Sequence, residues 1–82
     1  MEFYVYILRS VESGRFYVGQ SKKVSERLEE HNRGESKSTK VGVPWELVYE
    51  ENFATRSEAV RRELQIKKRG IERFLRGVAQ PG

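Results

Sequence analysis

Between Val24 and Arg33 the chain reads VSERLEEHNR, a helix-forming segment with only two apolar side chains, Val24 and Leu28. That scarcity leaves the helix one way to dock. With Val24 at zero and about 100° per residue, Leu28 falls near 40°, His31 near 340° and Arg27 near 300°, an arc of about 100° in all. The face that packs on the rest of the protein must therefore also carry an arginine and the chain's single histidine. Glu26, Glu29, Glu30 and Arg33 fall on the other side, toward water, and Gly34 follows as a plausible stop. A charged group turned inward is costly unless something compensates it. An ion pair or a bond to backbone would do so, and so would a ligand.

What precedes this helix is extended. Residues 3 to 8, FYVYIL, form a continuous apolar and aromatic run of strand-favouring types that stops at Arg9-Ser10. VESG supplies a turn, and RFYVG follows as a second short strand closed by Gly19, so the pair reads as a β-hairpin. Because side chains alternate with period two, an even-length loop puts Tyr6 and Tyr17 on the same face. A turn centred on Val11-Glu12 sets them directly opposite; one centred on Ser13-Gly14 separates them by four residues, roughly 13 Å. Two tyrosines on one face are open to a plain reading as half-buried packing residues with hydroxyls at the rim.

Downstream, GESKSTKVGVP (34–44) reads as an exposed polar loop whose Lys37 and Lys40 are free to meet phosphate. WELVYEENF is a third strand, with Trp45, Leu47 and Tyr49 alternating against Glu46, Val48 and Glu50, a pattern suited to a sheet covered on one side. Thr55-Arg56-Ser57-Glu58 matches a capping box and starts a second helix that runs to about Arg69, with Gly70 at its end. With Ala59 at zero, Ile66 at about 340°, Val60 at about 100° and Leu64 at about 140° define its buried arc. Glu63, at about 40°, interrupts that arc. It either pairs with Lys67 at i,i+4 or opens onto the cleft of Arg27, His31 and the tyrosines. Ile71, Phe74, Leu75 and Val78 suggest a short third helix, and AQPG a frayed terminus.

At 82 residues the chain is expected to be one domain, 1–82, with a compact core. It has no cysteine, which excludes disulfides and thiolate zinc sites, and no aspartate, which excludes Ser/His/Asp catalysis. With one histidine and only glutamates to draw on, a metal site would suit Mg²⁺, held by one carboxylate, waters and substrate phosphates, far better than Zn²⁺. No apolar run is long enough for a membrane span, and no leader pattern is present, so a soluble cytoplasmic protein is expected. The net charge of +4 is uneven: residues 56 to 76 hold eight of the sixteen Lys and Arg but three of the twelve acidic residues. A surplus of that kind suits a polyanion such as nucleic acid, or a merely solvated face. There is no P-loop, dinucleotide fingerprint, nucleophile elbow or zinc-finger spacing.

One combination is specific. Tyr4-Val5-Tyr6, then Tyr17-Val18-Gly19, then Arg27-x-x-x-His31 with Asn32 next, then T-K-x-G-x-P-W-E-L-V-Y and R-R-E-L-Q-I-K-K with its Glu63, together resemble the GIY-YIG nuclease domain, and most of all its short stand-alone bacterial members. Tyr4 stands where the family name has glycine, and Val5 and Val18 where it has isoleucine; these departures touch packing more than chemistry. The resemblance implies an α+β fold, a small three-stranded antiparallel sheet flanked by two to three helices, and an endonuclease that cuts phosphodiester bonds with one divalent ion. Carried over, Glu63 would ligate Mg²⁺ or Mn²⁺, Arg27 would stabilise charge on the phosphate, and Tyr6 would help deprotonate water. Tyr17 and His31 would orient groups or relay protons. Lys22, Lys37, Lys40, Arg61 and Lys67 are the cations expected to contact the substrate, with DNA expected ahead of RNA. A phenol near pKa 10 is a poor base at neutral pH unless a cation and the metal lower it, so positive groups such as Arg27 and Lys22 are expected close by. Two alternatives on the same fold stay open: a nucleic-acid-binding module that does not cut, and a protein-interaction adaptor whose Glu63–Lys67 and Arg27 are structural ion pairs. Targeting by a protein partner is also open.

Overall fold

The computed structural model describes residues 2–79. Two strands, β1 (Phe3–Ser10) and β2 (Phe16–Ser21), form a hairpin; α1 (Val24–Asn32) follows, then a 3₁₀ turn (Lys40–Gly42), β3 (Trp45–Phe53), α2 (Arg56–Arg69) and α3 (Ile71–Ala79). The sheet is ordered β2-β1-β3 with both pairings antiparallel. This is the α+β arrangement that the resemblance implies. The AQPG tail lies, beyond Ala79, outside the described residues.

The hairpin is longer than its sequence pattern suggests. β1 continues through Arg9 and Ser10, and β2 does not close at Gly19 but runs on to Ser21. Ser10 organises the turn: its Oγ accepts the Ser13 N–H at 3.1 Å, its carbonyl the Gly14 N–H at 2.9 Å, and its own N–H reaches the Arg15 carbonyl at 2.8 Å. Gly14 takes a φ of 76°, which a side chain would disfavour. The resulting register places Tyr6 opposite Gly19 and Leu8 opposite Tyr17. Tyr6 and Tyr17 thus share a face as parity requires, offset by one diagonal step, a register midway between the two that the turn sequence allows.

Both faces of the sheet are covered, not one. On β3, Ile7 pairs with Tyr49 but Leu8 pairs with Leu47, so Val48 is an extra residue, a β-bulge that reverses the alternation. Trp45 therefore joins Tyr6, Leu8 and Val24 on the α1 side, while Tyr49 turns to Val5, Ile7, Val18, Ala59, Ile66 and Phe74 under α2 and α3. Leu47 and Val48 stay exposed. Sandwiching between helices explains the unbroken apolar run of β1: Val5, Tyr6, Ile7 and Leu8 are all buried, each contributing about 1.5–3 kcal/mol for a side chain of that size.

The helix ends follow their signals. Thr55 and Glu58 make the reciprocal capping box at the start of α2. At the end of α1, Gly34 at φ 76° donates to the His31 carbonyl and Glu35 N–H reaches the Glu30 carbonyl, the paired bonds of a Schellman stop. The buried arc of α2 is displaced from the one that periodicity suggests. Ala59 and Ile66 are buried, but Val60 and Leu64 are exposed. The arc turns the other way, toward Arg62, because α3 packs there: the Arg62 guanidinium lies 5.0 Å from the Phe74 ring centre and pairs with Glu51 at 2.9 Å.

Candidate active site

The α1 face of the sheet gathers polar groups that would be out of place in an ordinary core. Tyr6 projects from the central strand across Gly19 of the edge strand; a Cβ at position 19 would lie 2.8 Å from the Tyr6 hydroxyl. Gly19 is thus a notch that lets the phenol reach the edge of the sheet. There the Tyr6 hydroxyl meets His31 Nε2 at 3.1 Å. Tyr17 packs beside both, its ring centre 4.9 Å from that of His31 and 6.3 Å from that of Tyr6.

His31 is wholly buried, as its place on the docking arc of α1 requires. Its other nitrogen, Nδ1, lies 2.6 Å from Thr39 Oγ1. Thr39, expected in an exposed loop, is buried, and its carbonyl accepts the Trp45 indole N–H at 2.7 Å. Asn32, the residue after His31, clips α1 to β3 by exchanging two bonds with the Trp45 peptide, at 3.0 and 2.6 Å. Neither Thr39 nor Asn32 stands out in the sequence by periodicity, since a hydroxyl in a polar loop and an amide at a helix end look like solvated groups. Only the fold, which lays the 34–44 loop against α1, gives them partners.

Arg27 reaches the same place from one turn earlier. Its guanidinium stands beside the Tyr6 hydroxyl and pairs with Glu30 at 2.7 Å, and these two acceptors, Glu30 first, raise its pKa. Glu30 is therefore half-buried and paired, rather than turned to water away from Arg27; the two lie only about 60° apart on the helix wheel. Glu63 comes from α2, on the opposite face of the sheet, yet its charge is felt at the Tyr6 phenol. Its carboxylate, largely buried, pairs with Lys67 at 2.7 Å, the i,i+4 contact that the spacing allows. The remaining predicted cations do not join the cluster. Lys22 sits over the Phe3 ring at 5.2 Å, with Arg56 over the same ring at 5.4 Å, while Lys37, Lys40 and Arg61 are exposed on the loop and on α2.

The electrostatics follow from burial. Tyr6 has its pKa raised above the usual 10.0: loss of water raises it most, the Tyr17 and Glu63 charges add to this, and Arg27 offsets only part. Arg27 is close by and lowers it, as expected, but Lys22 is elsewhere, and one guanidinium is outweighed by desolvation. His31 is held below its usual 6.5, first by burial and then by the Arg27 charge, so its imidazole is neutral at pH 7. Among the described residues no three His, Cys, Asp or Glu side chains gather as a metal cage. One glutamate oxygen donor still suits a hard cation whose other ligands are waters and phosphate oxygens, and does not suit zinc.

Residues 2–72 match the family model described as the GIY-YIG catalytic domain. The chain is 45% identical over 74 residues to the UPF0213 proteins of Staphylococcus aureus strains Mu3 and Mu50, covering 89% of this chain and 89% of each relative. Among solved structures it is similar to the UPF0213 protein of Bacillus halodurans, determined in solution by NMR, with a TM-score of 0.59, 31% identity, and coverage of 96% of this chain and 84% of that one. No helix among the described residues is long and apolar enough to cross a membrane.

Proposed function

We propose that this chain, which belongs to the GIY-YIG catalytic-domain family, is a divalent-metal-dependent endonuclease that hydrolyses phosphodiester bonds, DNA ahead of RNA. The observation that carries the reading is the Tyr6 hydroxyl, set over Gly19 at the sheet edge between His31 Nε2 and the Arg27 guanidinium. A phenol in that place has a route for its proton: as its oxygen takes a proton from the attacking water, its own passes to the neutral His31. Neutral histidine is needed for this, and burial keeps it so. Arg27, half-exposed, is placed to meet charge that develops on the phosphate, exchanging Glu30 for the substrate. Tyr17 confines the imidazole and the Tyr6 ring.

Glu63 would hold the ion, Mg²⁺ or Mn²⁺, once Lys67 releases it. The ion, when bound, polarises the phosphoryl oxygen and the leaving group. The exposed Lys37, Lys40 and Arg61, and Lys67 once released, would contact the substrate backbone, giving salt-sensitive binding. The experiment is incubation with branched, nicked and single-stranded DNA and with RNA, with and without EDTA, beside Glu63→Ala and Tyr6→Phe. Metal-dependent cleavage lost in both variants supports the reading. Salt-sensitive binding without any cleavage favours the non-cutting module, and cleavage that survives both substitutions overturns the assigned roles.

A further inference from the structure

We propose that Thr39 is a positioning residue: its Oγ1 accepts the Nδ1 proton of His31 and so holds the imidazole in the tautomer whose Nε2 is free to take the Tyr6 proton. The inference rests on the endonuclease reading for its purpose, but not for its geometry. In a neutral imidazole one nitrogen donates and the other accepts, so the partners of the two nitrogens decide between them which tautomer exists. Here the partners are two hydroxyls, Thr39 at 2.6 Å and Tyr6 at 3.1 Å, each able to play either part.

The surroundings break the tie. The one hydrogen-bond partner of the Tyr6 hydroxyl among the described residues is His31 Nε2. If His31 donated to that oxygen, the phenol's own proton would have no acceptor among the described residues on a side chain that is 1% exposed. A buried donor left in that state costs about 1–3 kcal/mol. In the other arrangement Tyr6 donates to Nε2, and Nδ1 donates to Thr39. The Thr39 hydroxyl proton is then the one to be accommodated. Thr39 borders a recess of about 130 Å³ lined by Ser13, Ser38 and Tyr17 together with the apolar Phe16, Val41 and Trp45, roomy enough to admit water beside its hydroxyls. The Tyr6 proton and both nitrogens of His31 then have partners.

Thr39 is itself firmly held. Its N–H donates to the Ser36 carbonyl at 3.2 Å and its carbonyl accepts from Trp45, whose peptide is gripped by Asn32, the neighbour of His31. Gly42 serves the same purpose, since a Cβ there would collide with the Trp45 ring. The loop is therefore braced against the helix that carries the imidazole, and a hydroxyl at 39 arrives in a fixed position.

The test is spectroscopic and needs no substrate. His31 is the only histidine and Trp45 the only tryptophan, so in ¹⁵N-labelled protein the imidazole nitrogens and the indole N–H are assigned without ambiguity. The wild-type chain should show a protonated, pyrrole-like Nδ1 and a bare, pyridine-like Nε2. Thr39→Val keeps the shape but removes the hydroxyl; Nδ1 should lose its proton preference while the Trp45 indole signal stays in place. Thr39→Ser should restore the wild-type pattern. Given cleavage by the wild type, Thr39→Val should lower kcat about tenfold to a hundredfold with KM unchanged, and serine should recover it. A wild-type spectrum with the proton on Nε2, or a Thr39→Val spectrum identical to wild type, overturns the proposal. Absence of cleavage by the wild-type chain would count against the endonuclease reading alone, because the tautomer is read separately.

Discussion

Gly19→Ala tests the notch on which the site depends. A methyl group there would lie 2.8 Å from the Tyr6 oxygen, 2.9 Å from its Cζ and 3.1 Å from Tyr17 Cε2, so the closest contact falls roughly 0.6 Å short of an ordinary separation of about 3.4 Å. Tyr6 is 1% exposed on the central strand and has no free space to move into, and a shift of that size disturbs its 3.1 Å contact with His31. Overpacking a filled site costs about 1–3 kcal/mol, and each kcal/mol lowers Tm by about 4–8 °C in a domain of this size. Urea unfolding followed by Trp45 emission measures it directly. Pairing the change with Tyr6→Leu isolates the far end of the ring: removing both Cζ and the hydroxyl relieves the two closest clashes, so the double variant should be at least about 0.5 kcal/mol more stable than the sum of the single effects predicts. A Gly19→Ala chain as stable as wild type, or strict additivity with Tyr6→Leu, would refute the argument that the glycine exists to admit the phenol.

Three further outcomes are expected. Because His31 titrates below 6.5 in the native state, the unfolded chain takes up a proton near pH 6.5 that the native state refuses; stability is full above that pH and is lost as pH falls from there toward the native pKa. The urea midpoint should therefore drop between pH 7 and 5, and His31→Gln should flatten that drop; an unchanged slope would contradict it. Asn32→Ala leaves the N–H and carbonyl of Trp45 without their partners and should cost about 1–3 kcal/mol in a thermal scan, and a neutral result would mean that α1 does not need this clip. Glu63→Gln should abolish cleavage while changing stability by less than about 0.5 kcal/mol, since Lys67 is half-exposed and the pair is an i,i+4 contact within one helix; a loss of several kcal/mol would instead favour a structural ion pair.

Much of the fold was legible because local signals agree with it. The capping box at Thr55, the glycine stops at Gly34 and Gly70, and the two apolar residues of α1 each specify a boundary or a face without help from the rest of the chain. His31 was readable as buried for the same reason: with only Val24 and Leu28 to guide docking, the arc that contains it has to go inward. Where local pattern misled, a non-local event intervened. The bulge at Val48 reverses the alternation of β3, so one strand serves two cores, and α3 draws the buried arc of α2 toward Arg62 and leaves Val60 and Leu64 outside. A period-two or period-3.6 pattern has no knowledge of either.

The site divides along the same line. By itself the sequence determined the residue types, the order of the elements, the shared face of Tyr6 and Tyr17 by parity, and the inward turn of His31 by angle, because each of these depends on spacing within one element or across one short turn. Tertiary structure alone decided the hairpin register that puts Gly19 beneath the Tyr6 phenol. It also brought Thr39 onto His31 across a loop and set Glu63, from the far side of the sheet, within electrostatic reach of Tyr6. Those relations join segments whose separation along the chain carries no periodic signal, and their energies come from burial and hydrogen bonds that exist only once the helices have closed on both faces of the sheet.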